Sequence, residues 1–199
     1  MEGVSPKLTD CDMFACEQRD ASDLLRLVRQ VFTAVSALPV EVDGADEYVQ
    51  ELAGFHGLQP SEAFVVKLRS NTRSFTLIAA TTRAWEQKRP ALLSTKHDAR
   101  RARRHVLLTP AGWVRRPAFL DNCALIGTSR SLRITATDRM AIIARVRETP
   151  GVSLEDCALE IASHDDPVGA VLKMVGEGLL RMDLRTPMSP DICVSVSVS

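Results

Sequence analysis

Aromatic side chains are scarce in this sequence. They make up 5% of its 199 residues, with six Phe, two Trp and one Tyr. Proteins that hold single-stranded nucleic acid without sequence preference stack its bases on aromatic rings. So few rings argue against a binding surface of that kind. We therefore expect Trp85 and Trp113 to pack in the core or at its edge.

Long apolar runs are absent as well. No stretch approaches the roughly 20 apolar residues of a membrane-spanning helix. The first residues, MEGVSPKLTD, lack the basic region and apolar core of a secretory signal peptide. The composition, 45% hydrophobic and 25% charged, is ordinary for a globular protein. We therefore expect a cytoplasmic protein with no membrane partner.

Cysteine and histidine do not form the patterns of a disulfide framework or a metal site. The chain has five Cys, an odd number at scattered spacings, and four His that stand apart from one another. Cys11 and Cys16 could hold a metal only with ligands from elsewhere, because no second cysteine pair exists. We expect reduced thiols, no metal and no cofactor.

Common catalytic motifs are also missing. The segment GEGLL lacks the Lys-Ser/Thr pair that a phosphate-binding loop needs to reach phosphate and magnesium. The sequence contains neither a Gly-x-Ser-x-Gly elbow nor a His-Glu-x-x-His helix. No residue is therefore predicted to be catalytic.

Positive charge is concentrated in the middle of a chain whose net charge is zero. Residues 1–66 have a net charge of −8 and residues 148–199 of −6, whereas residues 83–147 contain 15 basic and 4 acidic residues. This distribution predicts an anion-binding face on the middle segment. The alternative is that the acidic ends fold against the basic middle and neutralise it.

Residues 1–72 are predicted to form a helical N-terminal region. DASDLLRLVRQVFTAVSAL has apolar residues at helical spacing, with Ser22 as a candidate N-cap. GADEYVQELAGFHG predicts a short helix closed by one of its last two glycines. PSEAFVVKLRSN predicts a third helix, with Pro60 near its start and Asn71 as its stop.

Residues 73–133 are predicted to form a small basic α/β core. SFTLIAATT and HVLLT are short, apolar and rich in β-branched residues, which indicates two buried strands. The polar segment between them is predicted to be helical in parts and divided at Pro90, and WVRRPAFLDNCALIG shows little periodicity. The strand–helix–strand order indicates an α/β or α+β fold.

Residues 134–199 predict a winged helix-turn-helix-like domain. Three helical segments carry capping signals: Ser153 and Asp156 have capping-box spacing, and the last helix has an Asp N-cap, Pro167 at its first position and Gly178 past its end. LLRMDL and ICVSVSVS then alternate as the strands of a two-stranded wing around the turn RTPMSP.

The last helix of this domain is the one that would enter the major groove of DNA. It begins with Asp165 and Asp166 and carries one cation, Lys173. Carboxylates stabilise a helix N-terminus but are repelled by phosphates. We therefore expect the domain to contact a protein partner or a second copy of the chain. Alternatively, a phosphate backbone could follow the arginines of its first helix, Arg139, Arg145 and Arg147.

The segment KHDARRARRH carries the densest positive charge. Spacings of three and four predict that Lys96, Arg100, Arg103 and Arg104 lie on or near one side of a helix. Arginine binds phosphate bidentately, and neutralising several phosphates supplies most non-specific DNA affinity. The predicted nucleic-acid-binding residues are Lys96, Arg100, Arg101, Arg103, Arg104, Arg115, Arg116, Arg130 and Arg133. The alternative is a charged face that only meets solvent or the acidic ends.

The sequence resembles the later part of the TnsA-type transposon endonucleases. The resemblance covers about residues 74–195 and is carried by ARRARRHVLLTPAGWVRRPAFLDNCALI and AVLKMVGEGLLRMDL. In that family a basic helix leads into a strand of the form f-x-v-v-T-e, followed by an Arg- and Asn-containing stretch. A small helical domain that ends in a hydrophobic strand comes last.

This resemblance implies a PD-(D/E)XK nuclease fold, in which carboxylates hold magnesium and a Glu-x-Lys motif on the strand before the basic helix completes the site. In this chain the strand has Ile78, Ala79 and Ala80 where Glu-x-Lys is expected. Glu62 and Lys67 lie upstream with a different spacing. The resemblance therefore implies a degenerate copy that does not cut DNA.

The function predicted from these observations is that of a non-catalytic DNA-binding protein, regulatory or architectural, whose basic helix contacts the phosphates of duplex DNA. One alternative is a protein-interaction adaptor that uses the winged-helix domain and the acidic ends. A third hypothesis is an active endonuclease whose metal site has moved to a carboxylate such as Glu62.

Overall fold

The computed structural model describes residues 10–70 and 72–197, with side chains from residue 21 onward. These residues divide into two compact units, and the predicted fold class, a mixture of helices and small sheets, is confirmed. The first unit contains residues 10–29, Asp43–Lys67 and Ser74–Ala111. The second contains Gln30–Val42, Leu68–Arg73 and the chain from Gly112 onward.

The first helix, α1, spans Asp10–Ser36 and passes from the first unit into the second. Leu27, Val31 and Val35 recur at intervals of four and are buried, which is the pattern of a helix with one apolar face. The helix begins well before Ser22, so the predicted N-cap is wrong. Residues 1–9 lie outside the described residues.

The second helix, α2, spans Glu47–Phe55 and confirms the short helix predicted there. Asp46 is its N-cap and accepts a hydrogen bond from the backbone N–H of Val49, as a carboxylate at this position is expected to do. Gly57 follows the helix with a φ of +87°, a conformation that favours glycine.

The third helix predicted in the N-terminal region is instead a strand. Residues 63–69 form β2, Ala63–Arg69, so the prediction of a helix after Pro60 is wrong. Asn71, the predicted stop of that helix, lies outside the described residues. Val65 and Val66 are adjacent and both buried, and a strand buries neighbouring β-branched side chains on its two faces more readily than a helix does.

The larger sheet contains four strands in the order β1-β2-β3-β4. The short β1, Glu41–Val42, pairs antiparallel with the end of β2. The two predicted core strands are confirmed as β3, Ser74–Ala80, and β4, Val106–Pro110, which run parallel from the Thr76–Val106 pair onward.

Parallel strands need a crossover, and two helices provide it here. Helix α3 spans Thr82–Gln87 and α4 spans Arg89–Arg101, so the chain divides close to Pro90 as predicted. The buried residues of α4 are Leu92, Thr95 and Ala99. Because these lie on one face, the polar face of α4 is left for its basic residues.

The second unit also contains a helix that the sequence pattern does not predict. After the short α5, Ala111–Val114, helix α6 spans Pro117–Ser129. It buries Phe119, Cys123 and Ile126, which have helical spacing. Leu120 and Leu125 lie on its other faces and obscure the periodicity.

The predicted order of three capped helices followed by two strands is found in the second unit. Helices α7 (Ala136–Glu148), α8 (Leu154–Leu159) and α9 (Pro167–Gly176) begin after the N-caps Thr135, Ser153 and Asp166. Strands β5 (Val152–Ser153), β6 (Leu180–Met182) and β7 (Cys193–Val196) form an antiparallel sheet in the order β5-β7-β6. The predicted two-stranded wing therefore gains a third strand, which precedes α8.

The loop of the wing is held by a buried side chain of α6. Asn122 is 1% exposed, and its Nδ2 donates hydrogen bonds to the carbonyl oxygens of Leu184, at 3.1 Å, and Thr186, at 2.7 Å. Both donor hydrogens are therefore used, which is what a buried amide requires. Asn122 caps a turn, as its residue type suggests.

The described helices are all either too short or too polar to cross a lipid bilayer.

Candidate nucleic-acid interface

A basic pocket of about 480 Å³ lies at the C-terminal end of α4, in the first unit. It is lined by Lys96, Arg100, Arg103, Arg104, His105 and Val106. Four of the predicted phosphate contacts therefore lie around one concave surface. His105 also lines the pocket and directly follows the arginine run, although it is not among the predicted binding residues.

The arginines reach this pocket from two different kinds of backbone. Lys96 and Arg100 lie one turn apart on α4, as predicted. The helix ends at Arg101, however, so Arg103 and Arg104 lie in the segment that leaves it, and the prediction that they belong to the helical face is wrong. Lys96 and Arg100 thus line the pocket from helix α4, and Arg103 and Arg104 line it from the segment that follows the helix.

Arg103 closes the helix in a conformation that is unusual for its residue type. Its φ is +59°, in the left-handed region where glycine normally ends a helix. The backbone N–H groups of Arg103 and Arg104 donate to the carbonyls of Arg100 and Ala99, both at 2.9 Å. A non-glycine residue in this conformation costs roughly 1 kcal/mol. Such strain often marks a functional position.

Arg104 is fixed by a buried carboxylate. Its Nη1 donates to Asp46 Oδ1 at 2.9 Å, and its guanidinium lies 4.8 Å from the centroid of the Tyr48 ring. Asp46 is 4% exposed and also accepts from Thr76 Oγ1 at 2.5 Å. Asp46 therefore neutralises Arg104, and the net positive charge of the pocket comes from its other cations.

The remaining predicted residue of the first unit, Arg101, is exposed at the last position of α4 and does not line the pocket. The other four predicted residues belong to the second unit. Arg115 donates from Nε to Gln30 Oε1 at 3.3 Å, and Arg116 is exposed just before α6.

Arg130 and Arg133 each make a hydrogen bond within the protein, through the side chain of Arg130 and the backbone of Arg133. The guanidinium of Arg130 donates to the carbonyls of Leu38 and Gly176. The side chain of Arg133 is exposed, and its carbonyl accepts from His164 Nε2 at 2.9 Å. This hydrogen bond raises the pKa of His164 above its ordinary value, because it favours the protonated ring.

The helix that would enter DNA is covered by protein. The buried residues of α9 are Gly169, Ala170, Val171, Leu172, Met174, Val175 and Gly176. A methyl group on Gly176 would lie 2.8 Å from Ile126 Cγ2 on α6, and one on Gly169 would lie 2.6 Å from Leu132 Cδ1. Seven of the ten residues of α9 are therefore buried against protein, which leaves little of this helix exposed for contact with a major groove.

The cations of this domain are largely paired with its own acidic groups. Lys173 Nζ donates to the carbonyl of Arg130 at 2.6 Å and lies 3.4 Å from Glu177 Oε1. Arg139 donates to both carboxylate oxygens of Glu177, at 2.5 and 3.1 Å, which lowers the pKa of Glu177. Arg145 lies 3.5 Å from Glu160. These pairs leave Arg147 as the exposed arginine of α7.

The second unit has an apolar groove of about 480 Å³ between α8, the start of α9 and the wing loop. Its walls include Leu154, Ala158, Leu159, Pro167, Val168 and Met188. Leu159 is 64% exposed and Val168 is 42% exposed. Apolar side chains that remain this exposed in a groove are typical of a surface that meets another molecule.

The strand in which the resemblance predicts a Glu-x-Lys motif provides no side-chain ligand for a metal. Ile78, Ala79 and Ala80 are fully buried and provide no oxygen or nitrogen ligand from their side chains. Glu62 is held by Lys88 Nζ and by the backbone N–H of Gln59, each at 2.7 Å. Within residues 21–70 and 72–197, no group of three or more His, Cys, Asp or Glu side chains could hold a metal ion.

Three cysteines fall within the described side chains, and each is a free thiol. Cys123 and Cys157 are buried, and burial raises the pKa of each thiol to about 11. Cys193 is exposed. The side chains of Cys11 and Cys16 lie outside the described residues.

No protein-family model matches this chain, and no curated protein matches it. Its candidate interface is therefore defined by geometry and charge alone.

Proposed function

We propose that this protein binds duplex DNA without cutting it, as a regulatory or architectural protein, and that the basic pocket contacts DNA phosphates. The observation that supports this most strongly is the convergence of Lys96, Arg100 and Arg103 on one pocket. Each can form charge-assisted hydrogen bonds to phosphate oxygens, and each contact releases counterions from DNA.

The fixed position of Arg104 supports the same proposal. Its ion pair with Asp46 holds the segment that carries Arg103 in place before any ligand arrives. A binding site that is already ordered loses less conformational entropy when it binds. The buried α9 helix provides no comparable surface, so the proposed mode of binding contacts the backbone and does not read bases.

The resemblance to TnsA-type endonucleases belongs to this proposal. A degenerate nuclease would keep the sheet and the basic crossover helix and lose the metal ligands. The buried Ile78, Ala79 and Ala80 fit such a loss, because they put apolar side chains where the family has Glu-x-Lys.

The experiment that tests the proposal is duplex-DNA binding across a salt series for wild type, Arg100→Ala and Arg101→Ala. These neighbours have the same charge and lie in the same helical turn, but only Arg100 lines the pocket. We expect steep salt dependence for wild type. Arg100→Ala should reduce the slope of log affinity against log salt by about 0.9, whereas Arg101→Ala should leave it nearly unchanged. An absence of binding at low salt would contradict the proposal.

A second candidate function is a protein-interaction adaptor, and the apolar groove favours it. Residues 148–199 carry a net charge of −6, so a partner with an apolar face and basic flanks would complement this part of the chain. This candidate predicts that Leu159→Ser abolishes partner binding and leaves the affinity for DNA unchanged.

A further inference from the structure

The basic pocket carries more positive charge than one phosphate of the DNA backbone can match. In the part of the chain that the structure describes, no carboxylate lies within ion-pair distance of Lys96, Arg100 or Arg103. The nearest acidic neighbour on the same helix, Asp98, is paired with His56 Nε2 at 3.0 Å. Three uncompensated cations therefore surround the pocket, with His105 beside them.

A terminal phosphate matches this charge better than a phosphodiester does. A backbone phosphate carries one negative charge, whereas a phosphomonoester carries about −1.5 to −2 at pH 7 and has three acceptor oxygens. Each of those oxygens can accept from a different cation. Three separate donors around one concavity therefore fit a dianionic group.

The size of the pocket indicates what accompanies the phosphate. Its volume of about 480 Å³ falls in the range of sites for small organic ligands, which is roughly 300–1,000 Å³. The concavity is open to solvent on one side, so it admits a phosphate together with the sugar to which the phosphate is attached.

The backbone of the pocket is arranged so that it does not repel an anion strongly. Carbonyl groups at a helix C-terminus normally present partial negative charge. Here the carbonyls of Asp98, Ala99 and Arg100 each accept a backbone hydrogen bond, from Ala102, Arg104 and Arg103 in turn. The left-handed conformation of Arg103 makes two of these bonds possible, so the strained residue also prepares the site.

We infer that this pocket binds a nucleotide that ends in a phosphomonoester and, if the proposed DNA-binding function holds, that it captures the phosphorylated ends of duplex DNA. Lys96, Arg100 and Arg103 bind the three terminal oxygens. Arg104, held by Asp46, forms the fixed wall of the pocket.

The test compares the affinities of the full chain for four probes at one moderate salt concentration. These are a short duplex with 5′-phosphates, the same duplex with 5′-hydroxyls, a covalently closed circular duplex, and deoxyadenosine monophosphate. We expect the phosphorylated duplex to bind about tenfold more tightly than the hydroxyl form, which is the effect of adding hydrogen bonds to a charged group. Deoxyadenosine monophosphate should compete for the end-specific part of the binding.

The outcomes separate this inference from the proposed function. Equal affinities for phosphorylated, hydroxyl and circular duplexes would overturn the inference and leave DNA binding intact. No affinity for any duplex would overturn DNA binding. If the monophosphate then bound and lost affinity in Arg100→Ala, the pocket would be a site for free nucleotides, which supports its ligand class but not the capture of ends.

The last part of the test uses a variant of Arg103 that should fold at least as well as the wild type. Arg103→Gly places glycine in the left-handed conformation that suits it, so the fold should be at least as stable as the wild type. We expect this variant to lose the preference for phosphorylated ends, and Arg103→Lys to lose only part of it because lysine keeps the charge. A preference that persists in Arg103→Gly would contradict the role of this residue.

Discussion

Arg104 and Asp46 form an ion pair of 2.9 Å that joins the segment after α4 to the N-terminus of α2. The same carboxylate caps α2 and accepts from Thr76 on β3. One buried side chain thus connects three elements of the first unit, and its loss should affect all of them.

We expect Asp46→Ala to lower the free energy of unfolding by about 2–4 kcal/mol, because it removes a helix cap and leaves two donors without their partner. Chemical denaturation monitored by circular dichroism would measure this. Glu51→Ala, an exposed acidic residue of α2, is the matched control and should change stability by less than about 0.5 kcal/mol. Equal effects from the two substitutions would contradict the structural role of Asp46.

Arg103→Gly should raise the stability of the protein by roughly 0.5–1 kcal/mol, since glycine adopts a φ of +59° without the clash that a side chain introduces. Arg101→Gly should have the opposite effect, because Arg101 still belongs to α4 and glycine weakens helices. Thermal unfolding of both variants would check the prediction. A destabilised Arg103→Gly would show that its side chain is needed for folding.

Gly176→Ala should destabilise the second unit by about 1–3 kcal/mol, because the new methyl group would lie 2.8 Å from Ile126 Cγ2 and force α6 and α9 apart. Gly54→Ala in α2 is the matched control. No atom lies within 4 Å of its added methyl group, so alanine should stabilise that helix by up to about 1 kcal/mol. Denaturant midpoints that shift in the same direction for both variants would contradict the close packing.

The pair between Arg139 and Glu177 predicts a dependence of stability on pH. The hydrogen bond from Arg139 lowers the pKa of Glu177 below its ordinary value, so the folded state favours the carboxylate more than the unfolded state does. Its contribution is complete well above the ordinary glutamate pKa and is lost as the pH falls through the folded pKa. We expect Glu177→Gln to flatten the fall in melting temperature between pH 5 and pH 3 relative to wild type. An identical fall in Glu148→Gln and Glu177→Gln would contradict this.

Local signals in the sequence predicted the helix starts of the winged-helix-like domain. Thr135, Ser153 and Asp166 cap their helices with their own side chains, so the information lies within three residues of each start. The same holds for Gly178, which follows α9 with a φ of +77°. A helix cap involves only residues that are close together in the chain, so a short stretch of sequence is enough to predict it.

The sequence-based predictions that are wrong concern elements whose structure depends on residues far away in the chain. The sequence predicts a helix in place of β2 because Pro60 suggests a helix start, and nothing local shows that Val65 and Val66 enter a sheet. The burial of α9 depends on α6, a helix that the sequence pattern does not predict. The sequence predicts the arginines that line the basic pocket but places all of them on one helix face, because only the fold shows that α4 ends at Arg101.

The hydrogen bonds of the Asn122 amide bear on when the second unit can fold during synthesis. Its two acceptors, Leu184 and Thr186, follow it by 62 and 64 residues. A ribosome makes about 5–20 residues per second, so several seconds pass between the appearance of this donor and that of its acceptors. During that interval water hydrates the amide, and burying it without its two acceptors would cost free energy. We therefore expect the core around Asn122 to close only after the wing has been made.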